Sequence, residues 1–104
     1  MTIYICNAFS LSMLDRNGAQ RAPTAISLET AKRFARAASA VSAVGHADTA
    51  AVFSEILGVP VICDRITVKL TTNDLALIGQ LTGPRLPEGC KTLPENATIE
   101  WWII

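Results

Sequence analysis

Histidine and cysteine are scarce in this chain, and their scarcity removes whole classes of chemistry. There is one histidine, His46, and there are three cysteines, Cys6, Cys63 and Cys90, far apart and without a Cys-x-x-Cys pair or a Cys/His cluster. An odd, dispersed set suggests neither a disulfide framework nor a zinc site, and buried free thiols in a reducing compartment are expected. One histidine without paired carboxylates at helical spacing cannot build the usual metal sites, so no metal is expected and no cofactor is called for. Net charge is lacking as well: nine Lys plus Arg balance nine Asp plus Glu. Without a global positive field the chain is unsuited to long nucleic acid, and any phosphate recognition has to be local. Neither G-x-G-x-x-G nor a P-loop occurs. The chain opens without a basic n-region or a long apolar run, and nothing approaches a membrane span, so a cytoplasmic protein is expected.

What is present is apolar. Half of the 104 residues are apolar and only 17% are charged. That length suits one domain over residues 1–104, burying roughly 60–70% of the surface its unfolded chain would expose. The same composition leaves apolar surface to spare for a second subunit.

Thr2 to Asn7 reads as a short apolar strand that delivers Asn7 and Ser10 to its carboxyl end, where ligand contacts often lie. Ser10 to Leu14 suits one helical turn opened by Ser10, and Asp15 to Ala22, with Asn17-Gly18, a loop. Pro23 to Ile26 suits an edge strand, where proline is tolerated. Ser27 is a fitting N-cap for a helix running from Leu28 to about Val44, supported by a Glu29–Arg33 pair and ended by Gly45 as a left-handed C′ residue. Val52, Phe53, Ile56 and Leu57 form the apolar face of a second helix, opened near His46 or Asp48 and closed by Gly58 and Pro60. Ile66, Val68 and Leu70 alternate with Thr67, Lys69 and Thr71 as in a half-buried strand. Thr72-Asn73-Asp74 then turns the chain, and Leu75 to Leu81 returns as the other arm of a hairpin or as a helix, the hairpin being preferred. Gly83-Pro84 opens a loop over residues 85–91. A last strand, Thr98 to Ile104, sets Ile99, Trp101 and Ile103 on one face and Glu100, Trp102 and Ile104 on the other. Two such faces suggest helices on one side and a second layer or partner on the other.

His46 carries the candidate chemistry, because its unperturbed proton affinity suits acid–base work near neutral pH. The ordinary alternative is a histidine that merely caps a helix or fills a gap. At a helix opening it lies beside free backbone N–H groups, a natural phosphate seat. The helix dipole disfavours a protonated imidazole there, so a general acid would need a neighbouring anion, such as the bound phosphate. A Ser10–His46–Asp48 triad has no nucleophile elbow to support it. One acid or base, several cations and small polar groups suit transphosphoesterification of RNA, in which the substrate's own 2′-hydroxyl attacks phosphorus. The protein then has only to align, to stabilise charge through Arg85 or Arg65, and to protonate the leaving 5′-oxygen through His46.

Asn7-Ala8-Phe9-Ser10 with Met13-Leu14, Gly45-His46, Arg65-Ile66-x-Val68-Lys69-Leu70 and Arg85-Leu86-x-Glu88-Gly89 together resemble the viral ring nucleases that act as type III anti-CRISPR proteins. The four motifs occur in order and span nearly the whole chain. The resemblance implies an α/β fold with a mixed β-sheet of about five strands flanked by helices, assembled as a two-fold homodimer. It implies binding of cyclic tetra-adenylate across the dimer axis and metal-independent cleavage to linear di-adenylate ending in a 2′,3′-cyclic phosphate. Carried over by motif, His46 is the general acid, and Arg85 and Glu88 belong to the loop that encloses the ligand. Asn7, Ser10, Gly45 and Arg65 contact the ligand or position catalytic groups. Two other classes remain open: an inert module that sequesters or senses a cyclic nucleotide, and an interaction protein that assembles through its apolar last strand.

Overall fold

The computed structural model describes residues 1–16 and 20–104, so the expected loop at Asn17-Gly18 lies outside the described residues. Its centre is a five-stranded mixed sheet in the order β2-β5-β4-β1-β3. The strands are β1 (Ile3–Cys6), β2 (Thr24–Ile26), β3 (Ala40–Ser42), β4 (Leu75–Thr82) and β5 (Thr98–Ile103). β1 pairs in parallel with both β3 and β4, while β5 is antiparallel to β4 and to β2. Helices α1 (Leu28–Ala35) and α2 (Ala47–Leu57) lie on one face. Their Ala31, Ala35, Ala50, Phe53 and Leu57 pack with Ile3, Ile5, Leu77 and Trp101 of the sheet. On the other face Cys6, Ala76 and Ile78 are covered by Val68, Leu70 and Ile104, with Met13, Leu14 and Trp102 beside them.

Several elements form where local chemistry places them. Ser10 opens a 3₁₀ turn over Leu11–Met13, its hydroxyl accepting from the Ser12 amide at 3.4 Å. Ser27 caps α1 by accepting from the Thr30 amide at 3.2 Å. β2 is an edge strand just after Pro23, as expected from a residue that has no N–H to donate. Gly58, at φ 72°, closes α2 in the left-handed conformation.

Several expectations are corrected. Helix α1 stops at Ala35 instead of running to Val44, and Ala40–Ser42 becomes β3. The alanine-rich stretch is helix-prone, but β1 has an open edge whose amide Ile3 N–H donates to Ser39 O at 3.1 Å and whose carbonyl Ile5 accepts from Ala43 N–H at 2.8 Å. Pairing there also buries Val44 completely, and tertiary burial overrides a modest propensity. Gly45 therefore ends no helix. The segment 66–70 is not a strand either: its ladder is a single bridge, Leu14 with Leu70, held by Leu70 N–H to Met13 O at 2.7 Å. Val68 and Leu70 are buried while Ile66 is 40% exposed, so the alternation reports side chains laid across the sheet's second face rather than backbone pairing. For the same reason β4 forms no hairpin with this segment; the turn at Thr71–Asp74 instead feeds β4 into the sheet alongside β1. Finally, the charge pair on α1 is Glu29 with Lys32, 3.7 Å apart, one residue short of Arg33, and of the three free thiols Cys6 is buried, Cys63 exposed and Cys90 in between.

Candidate functional site

Because β1, β3 and β4 are parallel, their carboxyl ends share one edge of the sheet. In open α/β sheets that edge is where loops gather around ligands. β1 delivers Asn7 there, β3 leads through Val44 into Gly45-His46, and β4 leads into the loop over residues 83–91. Three of the four motifs are thereby brought to one edge by strand direction alone.

His46 is the N-cap residue of α2, extended at φ −131° and ψ 125°. Its carbonyl accepts from Ala50 N–H at 2.9 Å, but its side chain makes no capping hydrogen bond. The imidazole is exposed, so the ring projects at the helix mouth and the cap side chain leaves the opening amides of α2 to an incoming anion.

Arg65 reaches the same point from the segment after α2. Its Nε donates to Gly45 O at 2.8 Å, and Asp64 N–H donates to Val44 O at 2.8 Å, so the chain runs beside the β3–α2 connection. Gly45 is needed for this approach: a Cβ there would lie 2.8 Å from Arg65 Cγ. The sequence motif Gly45-His46 thus has a steric cause, space for the arginine stem, rather than the helix-ending role expected of it.

The loop after β4 carries Arg85 and Glu88, both exposed. Among the described residues neither has an ion-pair partner, so both charges are free to meet a ligand. Pro87 to Cys90 is a tight turn closed by Cys90 N–H to Pro87 O at 3.0 Å, with Gly89 at φ 77° in its third position. A positive φ at that position defines a type II turn and favours glycine. Glu88 occupies the second position, at the apex. Asp48, in the first turn of α2, accepts the Gly89 N–H on Oδ2 at 2.9 Å and draws this turn to the helix that His46 opens. Sequence reasoning gave Asp48 no place in the ligand site; a carboxylate two residues after the helix cap was the available signal.

Ser10 is the site residue most committed elsewhere. Its hydroxyl lies 3.0 Å from that of Ser12, and its amide donates to Met13 Sδ at 3.2 Å. The 3₁₀ turn it caps is fastened to the 66–70 segment by Lys69 Nζ to Ser12 O at 3.2 Å, on the sheet face opposite the helices. Cys6, at the end of β1, is no nucleophile: burial pushes its thiol up to about 12. Among the described residues no His/Cys/Asp/Glu group is placed to hold a metal ion, and no helix is long and apolar enough to cross a membrane.

A mixed α/β sheet with two helices on one face, and polar loops at the carboxyl edge of its parallel strands, defines the class to which this molecule belongs. More narrowly, the chain is a member of the STIV B116-like family, whose model matches residues 3–100. That bears out, at the level of family, the resemblance carried by the four motifs. B116 of Sulfolobus turreted icosahedral virus has the same fold, with a TM-score of 0.80 and 21% sequence identity over 99% of this chain and 98% of that one. No curated protein sequence matches the chain.

Proposed function

We propose that this protein is a metal-independent ring nuclease that binds cyclic tetra-adenylate across a two-fold homodimer, cleaves it to linear di-adenylate and so switches off type III CRISPR signalling. The observation that carries the reading is the convergence of Asn7, Gly45-His46, Arg65 and the Arg85–Glu88 turn on one sheet edge, two of them drawn together by hydrogen bonds to the β3–α2 region.

The reaction asks little of the protein. The ribose 2′-oxygen attacks the adjacent phosphorus, the bond from phosphorus to the 5′-oxygen breaks, and a 2′,3′-cyclic phosphate remains. His46 gives a proton to the departing 5′-oxygen. Arg85 offsets the charge that builds on the phosphorane. The 2′-hydroxyl proton leaves to a base, for which the Glu88 carboxylate at the turn apex is the group at hand. Asn7, Ser10, Gly45 and Arg65 hold and orient the ring. A two-fold dimer suits a four-fold ring, which contains that axis: two equivalent His46 meet two opposite phosphates, and two cuts give two dinucleotides.

The test is incubation of purified protein with cyclic tetra-adenylate in excess EDTA beside His46→Ala, with products resolved by chromatography and mass. Di-adenylate ending in a cyclic phosphate, lost in the variant, is expected. Tight binding of an intact ring by both proteins would make the chain a sequestering module instead, and absence of both binding and cleavage would remove this function.

A further inference from the structure

The hydrogen bond from Gly89 N–H to Asp48 Oδ2 spans 41 residues of sequence. Among the described residues it is the one hydrogen bond tying residues 84–91 to the rest of the fold; the others made there, Cys90 N–H to Pro87 O and Cys90 Sγ to Thr92 O, are local. The turn therefore has a fixed internal shape and, among the described residues, a single polar anchor. In a type II turn the amide of the third residue is not used by the turn itself, so Gly89 N–H is available to an outside acceptor. Asp48 is a well-placed one: a carboxylate in the first turn of a helix is stabilised by the positive end of the dipole, and a charged acceptor makes the stronger kind of hydrogen bond. Its position on α2 is in turn fixed by the packing of Ala50, Val52 and Phe53, all at most 3% exposed.

From this we infer that Asp48 is the positioning residue of the site, a latch that holds the turn bearing Glu88, and with it Arg85, against the helix opening occupied by His46. Its catalytic consequence rests on the ring-nuclease reading; the latch itself does not. Without the latch the turn keeps its shape but loses its place, and a displaced pair of charged side chains no longer meets the scissile phosphate in register with the imidazole. Asp48 also brings a negative charge towards the seat of a phosphate, and that charge is a separate effect. An asparagine retains a side-chain oxygen that accepts the Gly89 amide but has no charge; an alanine has neither. The two substitutions therefore separate latch from charge, and both leave the core untouched.

The experiment measures amide hydrogen exchange at Gly89 by NMR, and the single-turnover cleavage of cyclic tetra-adenylate, in wild type, Asp48→Ala and Asp48→Asn. Exchange at Gly89 is expected to rise about 10-fold or more in Asp48→Ala and to stay near wild type in Asp48→Asn. The cleavage rate constant is expected to fall about 10- to 100-fold in Asp48→Ala, with most of it restored in Asp48→Asn. Unchanged Gly89 exchange in Asp48→Ala overturns the latch. Equal loss of rate in both variants overturns the positioning role and leaves charge as the cause. A wild-type protein that does not cleave the ring, while its Gly89 amide responds as expected, overturns the catalytic role by removing the ring-nuclease reading and supports the latch alone.

Discussion

Gly79 shows how one missing side chain organises the core. It faces Trp101 across the β4–β5 ladder, and Phe53 of α2 packs against that indole with ring centroids 5.1 Å apart and planes at 57°. A Cβ on Gly79 would come within 2.6 Å of both Phe53 Cζ and Trp101 Cζ3. The rings occupy the volume a side chain would need, and they key α2, with His46 at its opening, onto the sheet. Gly79→Ala is therefore expected to cost about 1–3 kcal/mol through overpacking, read as a lower urea midpoint; an unchanged midpoint would mean that the rings yield freely. In sequence this glycine looks like a weak point in a strand, because its reason is a helix that crosses above it from 26 positions earlier. A still longer sequence separation hides Asp48, whose partner is 41 residues away. The place of His46 at the opening of α2 is legible because the residue sits directly before a run with a clear apolar face.

At the scale of elements, α2 and β5 were readable because local pattern and tertiary demand agree in them, whereas β3 and the 66–70 segment were not because the two conflict. Five strands were expected and five are present, but Ala40–Ser42 has taken the place of 66–70. Periodicity reports which side chains are buried and is silent on which backbone groups find partners. The turn before β4 is held by polar groups that the sequence does signal. Asp74 accepts from Thr71 Oγ1 at 2.7 Å, from Thr71 N–H at 3.1 Å and from Thr2 N–H at 3.0 Å, and Arg21 Nη1 donates to Asp74 O at 2.6 Å. The Thr71 hydroxyl and amide bonds, with the Thr2 amide behind them, hold the Asp74 carboxyl below its ordinary value. A folded-state value that is depressed adds stability in full above the unfolded value, about 3.9 for Asp, and loses it as pH falls through the folded value. Asp74→Ala is accordingly expected to melt below wild type at pH 7, with the gap narrowing as pH is taken below about 4. A gap constant across that range would show that the carboxylate contributes nothing through its charge.

For the whole molecule, strand direction decides where chemistry can gather. The parallel β3-β1-β4 core sends three loops to one edge, and the antiparallel β5 continues the sheet from β4 to the edge strand β2. β5 lies inside the sheet, paired with β4 along Thr98–Ile103 and with β2 along Trp101–Ile103, so much of the last strand's hydrogen bonding is made within the chain. One such edge has one His46, and a ring with four phosphates needs two cuts to become two dinucleotides. On the proposed reading the second cut belongs to the second protomer, and this can be tested with mixed dimers of tagged wild-type and His46→Ala chains purified by sequential affinity steps. In a single turnover the mixed dimer is expected to open the ring once and release linear tetra-adenylate ending in a 2′,3′-cyclic phosphate, where wild type yields di-adenylate. The two products differ twofold in length and separate readily. If the mixed dimer instead yields di-adenylate directly, one histidine serves both phosphates and the two-fold assignment of sites to protomers is wrong. If it yields no product, the protomers act only together, and the symmetric pair of His46 is a single catalytic unit rather than two independent acids.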